Sequence, residues 1–288
     1  HLPSGGETIL VGDFFMNAGG KGANQAVAAA RYGNKVIFVA KTGDDLFGRQ
    51  VREALKEDKI ITDYVFVDEE HPSGVALITI DKHAENCIVV ASGANMHLGT
   101  ADIDKAKEEI TSAKVVLMQL ETPIQTVEYA AQIASEAGVP VILNPAPAPA
   151  EPLSAELLKN LYLITPNRSE ASRISGIEVT DTQSAQQAAK AIHAMGTKNV
   201  IITLGSEGSL IYNGEDFTLI AATKVEAVDT TAAGDTYNGV LAGALAEGYS
   251  LTEAAHEASI ASAISVTRMG AQPAAPTKEE INEFKARK

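Results

Sequence analysis

Val115-Val116-Leu117-Met118-Gln119-Leu120, the amphipathic stretch Ile124 to Ala137, and then Val139-Pro140-Val141-Ile142-Leu143-Asn144 together decide the fold. The two flanking runs are apolar at consecutive positions, as in strands covered on both faces, while the stretch between them is apolar at helical spacing. Strand, helix and strand in that order form a right-handed crossover between parallel neighbours. Outward from this unit the pattern repeats. Val36 to Ala40, Leu161 to Thr165 and Asn199 to Leu204 read as strands, and Asp45 to Asp58 and Thr182 to Met195 as helices. The predicted class is α/β: a mainly parallel central sheet flanked by helices.

Two segments break the pattern. Glu7 to Ala18 and Gly74 to Gly93 alternate like strands joined by turns (Asp81-Lys82-His83 in the second) with no helix between. They predict a small β-sheet lid, residues 1–18 and 74–93, standing off a body of residues 19–73 and 94–288, or else an edge extension of the central sheet. Cys87 is expected as a small buried or half-buried strand residue. Pro145 to Ala150 reads as a stiff loop, and no internal repeat is evident.

The 288 residues carry a formal net charge of −14 and are 45% hydrophobic. So acidic a chain argues against nucleic acid and anionic membranes as partners. One cysteine permits no intrachain disulfide, which fits a reducing, cytoplasmic setting. No apolar run approaches the ~18–20 residues of a membrane helix. None of the six histidines stands at metal-ligand spacing from another, which argues against a zinc site. The absence of a G-x-S-x-G elbow argues against an α/β-hydrolase, and the absence of G-x-G-x-x-G after a strand against a dinucleotide-binding oxidoreductase.

Chemistry concentrates in four stretches. In Asp229-Thr230-Thr231-Ala232-Ala233-Gly234-Asp235-Thr236, small residues precede the helical pattern Tyr237 to Glu247. Main-chain N–H groups at such a helix start attract anions, and Asp235 beside them can orient an attacking hydroxyl or accept its proton late; it can equally serve as a helix cap. Gly19-Gly20-Lys21-Gly22-Ala23-Asn24 precedes the helical pattern Gln25 to Tyr32. It lacks the spacing of a Walker A loop, and reads either as a polyol-binding turn or as a tight strand-to-helix turn. Thr203-Leu204-Gly205-Ser206-Glu207-Gly208 follows a strand where open sheets bind ligands, although any hairpin looks similar. Asn167 and Glu170, in Thr165-Pro166-Asn167-Arg168-Ser169-Glu170, have capping-box spacing. A second role for them is phosphate contact by Asn167 and Mg²⁺ organisation by Glu170.

Taken in order, these stretches resemble the ribokinase/phosphofructokinase-B carbohydrate kinase family, most closely its ribokinase branch. Gly19 to Ala30, Met118-Gln119-Leu120-Glu121, Asn144-Pro145-Ala146-Pro147 and Val266 to Pro273 extend the likeness over essentially the whole chain. The resemblance implies a three-layer ribokinase-like fold and transfer of the ATP γ-phosphoryl group to the 5-hydroxyl of D-ribose. Fructose, adenosine or another polyol is the alternative acceptor, and a silent sugar-binding protein the alternative from another class. It implies Asp235 as catalytic base, with Ala232, Ala233 and Gly234 as anion hole. Gly20, Lys21, Gly22, Ala23, Asn24 and Glu121 are implied to hold the sugar. Asn167, Thr203, Leu204, Gly205, Ser206, Glu207, Gly208, Gly234 and Ser259 are implied to contact ATP, with Glu170 near Mg²⁺. A monovalent-cation (K⁺) site is implied at Asp229, Thr231, Ser265, Arg268, Gly270 and Ala274, largely through backbone carbonyls. Ribokinases often carry Ser where Ala274 stands. A homodimer through the lid is implied as well. Family members begin with a strand ending in Asn-x-Asp. No such tripeptide occurs here, so a strand preceding His1 is expected.

Overall fold

Along the central strands, successive side chains point into different cores, and this places the layers. Leu143, Ile164, Val200, Ile202 and Leu210 are buried on one side of the sheet. Their neighbours Ile142, Leu163, Ile201 and Ile211 are buried on the other. In this computed structural model, which describes residues 6, 8, 16–80 and 86–287, the chain runs α1 (Lys21–Arg31), β1 (Ala40–Gly43), α2 (Leu46–Glu57), β2 (Val65–Asp68), β3 (Val75–Ile80) and β4 (Asn86–Ala91). It continues through α3 (Thr100–Lys105), α4 (Lys107–Ser112), β5 (Val116–Met118), α5 (Ile124–Glu136), β6 (Val141–Leu143), α6 (Ala155–Asn160) and β7 (Leu163–Ile164). Then follow α7 (Arg168–Ser175), α8 (Thr182–Ala194), β8 (Asn199–Thr203), β9 (Ser209–Tyr212), β10 (Phe217–Ile220), α9 (Ala233–Ala246), α10 (Leu251–Ser265) and α11 (Lys278–Ala286).

The main sheet has the order β10-β9-β8-β7-β6-β5. It is parallel from β5 to β8 and antiparallel across β8, β9 and β10. Residues of α3 to α8 fill the first core, and those of α9, α10 and α11 the second. The predicted α/β three-layer arrangement is therefore what the chain adopts.

Helix starts follow local chemistry. Asp45, Ser154, Asp181, Ser250 and Thr277 each accept a hydrogen bond from a first-turn amide, a cap that stabilises a helix by about 1 kcal/mol.

Two expectations need correction. Val36 to Ala40 is not a continuous strand. Ile37 makes an isolated bridge to Ile61, and the regular strand β1 starts only at Ala40. The turn closed by Val65 N to Thr62 O (3.0 Å) interrupts the partner segment, so the ladder resumes past it. Cys87 lies on β4 but is exposed, because β3 and β4 pair with each other in a separate two-stranded antiparallel sheet. The predicted segment Glu7 to Ala18 falls mostly, and the Asp81-Lys82-His83 turn entirely, outside the described residues.

Helices α1 and α9 touch backbone to backbone. A Cβ on Gly239 would meet the Gln25 carbonyl oxygen and lie 2.7 Å from Ala28 Cβ. Asn34 fastens the far end of the contact through Nδ2 to Gly243 O (3.2 Å). Gly239→Ala is expected to lower stability by about 1–3 kcal/mol through overpacking. Urea unfolding should show a lower midpoint at unchanged slope, and an unchanged midpoint would refute the close approach.

Candidate active site

The first wall of the site is the start of α1. The helix begins at Lys21, four residues before the predicted Gln25, so Lys21, Gly22, Ala23 and Asn24 form its first turn rather than a loop. Gly20 is the N-cap at φ 89°, a left-handed angle that disfavours any side chain. With no capping side chain present, Glu121 serves instead, its Oε2 accepting from Lys21 N at 2.8 Å.

The second wall is the start of α9. Ala232 caps it at φ 57°, a strained angle for a residue with a Cβ. Thr236 N donates to Ala232 O (2.9 Å). The amides of Ala232, Gly234 and Asp235 find no acceptor among the described residues. Ala233 departs from expectation: its amide already donates to Thr230 O (3.3 Å), which narrows the free donor set.

The walls meet at a buried carboxylate. Asp235 is 7% exposed. Its Oδ2 accepts from Asn24 Nδ2 and its Oδ1 from Gln25 Nε2, each at 2.9 Å. Asn24 Oδ1 is buried beside it with no partner. A buried acceptor in that position can receive a hydroxyl donor.

Behind the carboxylate runs a polar network that inspection of the motifs did not assign. Gln25 is fully buried. It also donates to Asn144 Oδ1 (3.0 Å) and accepts from Gln119 Nε2 (2.6 Å). Asn144 Nδ2 donates to Thr165 O (3.0 Å), Thr165 Oγ1 to Asn238 Oδ1 (2.5 Å), and Asn238 Nδ2 to Gly234 O (2.8 Å). The chain of bonds returns to the helix start it supports. Gln25, Gln119 and Asn144 all sit inside the quoted motifs, which was the available signal.

The two loops expected to face a nucleotide are neighbours. Thr203 N donates to Pro166 O (3.0 Å), and Arg168 pairs with Glu207 across them. Thr203 to Gly208 forms the β8–β9 hairpin turn, closed by Leu204 N to Gly208 O (2.7 Å). The side chain of Leu204 is buried, so only its backbone faces the turn. No hydrogen bond or ion pair joins Ser259, half-buried on α10, to the other named residues among those described.

The profile of the pfkB family of carbohydrate kinases matches residues 2–278. The chain belongs to that family. It is 45% identical to ribokinase of Haemophilus influenzae over 97% of this chain and 90% of the relative. Identity with deoxyribokinase of Salmonella typhi is 35%, over 98% and 92%. The structure of Arabidopsis thaliana ribokinase complexed with ribose and ATP superposes with a TM-score of 0.92 at 33% identity, covering 99% of this chain and 92% of that one.

In this carbohydrate kinase the segments around Asp229 and Ser265 to Ala274 also come together. Asp229 Oδ1 accepts from Thr231 N and Oδ2 from Gly270 N, both at 2.9 Å. Burial pushes its carboxyl up, but these bonds outweigh burial and hold it below the usual aspartate range. Arg268 is turned to Glu280 (2.6 and 3.3 Å), and Ser265 Oγ to Ser262 O (2.9 Å). Ala274 is buried and offers no side-chain oxygen. A cation here would meet main-chain carbonyls, since the side chains are already bonded elsewhere.

Glu170 and Asn167 form a complete capping box. Asn167 Oδ1 accepts from Glu170 N (2.9 Å), and Glu170 Oε2 from Asn167 N (2.8 Å). Burial pushes the Glu170 carboxyl above the usual range and Asp235 adds to this, while the Asn167 amide and Lys21 act the other way. A raised carboxyl favours folding below the unfolded-state value of about 4.3 and loses that contribution as pH climbs through the folded value. Glu170→Gln keeps the cap and removes the titration. In chelator-treated protein, wild type should lose stability relative to this variant as pH rises from about 4.3, then run parallel. A constant difference across pH 4–8 would show that Glu170 is not so placed.

Proposed function

We propose that the chain transfers the γ-phosphoryl group of ATP to the 5-hydroxyl of D-ribose, giving ribose 5-phosphate and ADP. The observation that carries this is the Asp235 carboxylate, held by Asn24 Nδ2 with the unmatched Asn24 Oδ1 beside it, beneath free amides at the mouth of α9. A hydroxyl can donate to either oxygen there while an anion sits on the Gly234 and Asp235 amides. Support comes from the ribokinase relatives at 40–45% identity and from the Arabidopsis enzyme, whose complex holds ribose and ATP.

Asp235 would orient the hydroxyl and take its proton as the bond to phosphorus forms, while Asn24 and Gln25 hold the carboxylate in line. Lys21, Gly20, Gly22, Ala23 and Glu121 would enclose the sugar. The β8–β9 turn and Asn167 would receive the nucleotide. Mg²⁺, when bound with ATP, neutralises phosphate charge. Glu170 suits it, because only one of its oxygens is used by the cap and the buried carboxylate gains from a nearby cation. K⁺ would sit where the loops at Asp229 to Thr231 and at Ser265 to Ala274 meet, held largely by main-chain carbonyls. Asp235→Asn should reduce kcat by about 10²-fold or more with ATP affinity nearly unchanged. Retained turnover in an ADP-release assay would remove Asp235 from the mechanism.

The deoxyribokinase relative raises 2-deoxyribose as a second acceptor. Across ribose, 2-deoxyribose, fructose and adenosine, ribose is expected to give the highest kcat/KM. Equal rates on fructose or adenosine would defeat the assignment. The β3–β4 hairpin exposes Leu77, Ile78, Val89 and Val90, each more than half accessible. A second copy packed on one face of this hairpin, over Leu77 and Val89 or over Ile78 and Val90, would close a homodimer. Sedimentation equilibrium should report two chains, and a one-chain mass would reject this.

A further inference from the structure

Although no two histidines stand at ligand spacing in the sequence, the fold brings His71 and His97 together. Their rings stack with centroids 3.5 Å apart at 14°. Asp68, the last residue of β2, completes the group. Its Oδ1 accepts from the amides of Glu70 (2.9 Å) and His71 (3.0 Å) and lies 3.1 Å from His71 Nδ1. This tight turn folds the His71 ring back over the strand end. His97 comes from the other side, closing the 3₁₀ turn Gly93–His97. Its carbonyl is held by Lys41 Nζ (2.9 Å), and that ammonium is already paired with Asp102 (2.6 Å). One ligand atom of each of the three side chains lies within 4.8 Å of those of the other two.

We propose that Asp68, His71 and His97 form a binding site for a divalent transition ion of the zinc type. Two imidazoles and a carboxylate are the donor set such ions favour, whereas Mg²⁺ and Ca²⁺ select all-oxygen shells. Three protein ligands leave a fourth position to water. Bonds of about 2.1 Å in a tetrahedron set donors roughly 3.4 Å apart. The group must therefore contract by an ångström or so, and one ring must turn out of the stack so that both in-plane lone pairs meet the ion. The exposed His97 side chain can supply both movements.

The placement gives the ion a structural task. His71 lies just before β3, and His97 follows β4, so the two histidines flank the entry and exit of one hairpin. Ala94 N to Pro72 O (2.8 Å) already ties these two legs. A bound ion adds a second tie and fixes the hairpin's base without touching Asp235. The inference is independent of which sugar the kinase uses.

The test is calorimetric titration of the chelator-treated full chain with ZnCl₂ alone. One equivalent should bind, and a large excess of Mg²⁺ should not displace it. His71→Ala and His97→Ala should each weaken binding about tenfold or more, while His256→Ala, on the exposed side of α10, should not. His97 is exposed and His71 half-buried, and an unchanged thermal midpoint without metal confirms that the variants fold. Absence of stoichiometric binding, equal binding in the double variant, or displacement by Mg²⁺ would each overturn the assignment.

Discussion

The contact between α1 and α9 is the constraint on which the site depends. Side-chain amides are short, and Asn24 and Gln25 reach Asp235 only because Gly239 lets the α1 backbone lie against α9. A carboxylate left alone in a desolvated cleft would cost several kcal/mol. Here two neutral donors and a helix start stabilise it. Neutral donors hold both oxygens in place and leave the negative charge unneutralised, whereas a lysine in that place would cancel it. Orientation and availability of the carboxylate come from the same pair of bonds.

The network extends this control to the sheet. Asn144 and Thr165 follow directly on β6 and β7, at the carboxyl ends where open parallel sheets place their ligands. Gln25 couples the first of these to α1, and Asn238 couples the second to Gly234 on α9. Each group has its partner within the ring of bonds, and such fully satisfied buried networks specify one arrangement. The helix mouths are thereby positioned by the sheet itself rather than by loops.

Much of this was legible in the sequence because it is local. Consecutive apolar residues at 141–143 and 200–202 mark strands covered on both faces, and the α5 and α8 boundaries fall where periodicity puts them, with Asp181 capping the second. The start of α1 was not legible. Gly20, Lys21 and Gly22 give no apolar period, and the cap comes from Glu121, 100 residues away. Cys87 was misplaced because alternation in a strand cannot say whether a second layer covers it. Roles for Gln25 and Asn238 were hidden for a related reason: their partners lie 210 and 73 positions distant. His71 and His97 met the same obstacle, since ligand spacing is a local test and their meeting is a product of topology.

The electrostatics of the site gain their sense from the chain's net charge of −14. A triphosphate approaching so acidic a surface needs local positive potential, and main-chain amides at the α9 start supply it without adding a mobile cation. Glu170 and Asp235 oppose it, and their mutual repulsion is part of what lifts the Glu170 carboxyl, with Lys21 the nearby charge acting against them. Two buried acids facing one ammonium form an unbalanced set in the free protein. Active sites hold such imbalance at a cost in stability, because charge arriving with the substrate then meets groups already in position. Stacking further cations into the free site would stabilise the fold and would also quench the carboxylate that the proposed chemistry requires.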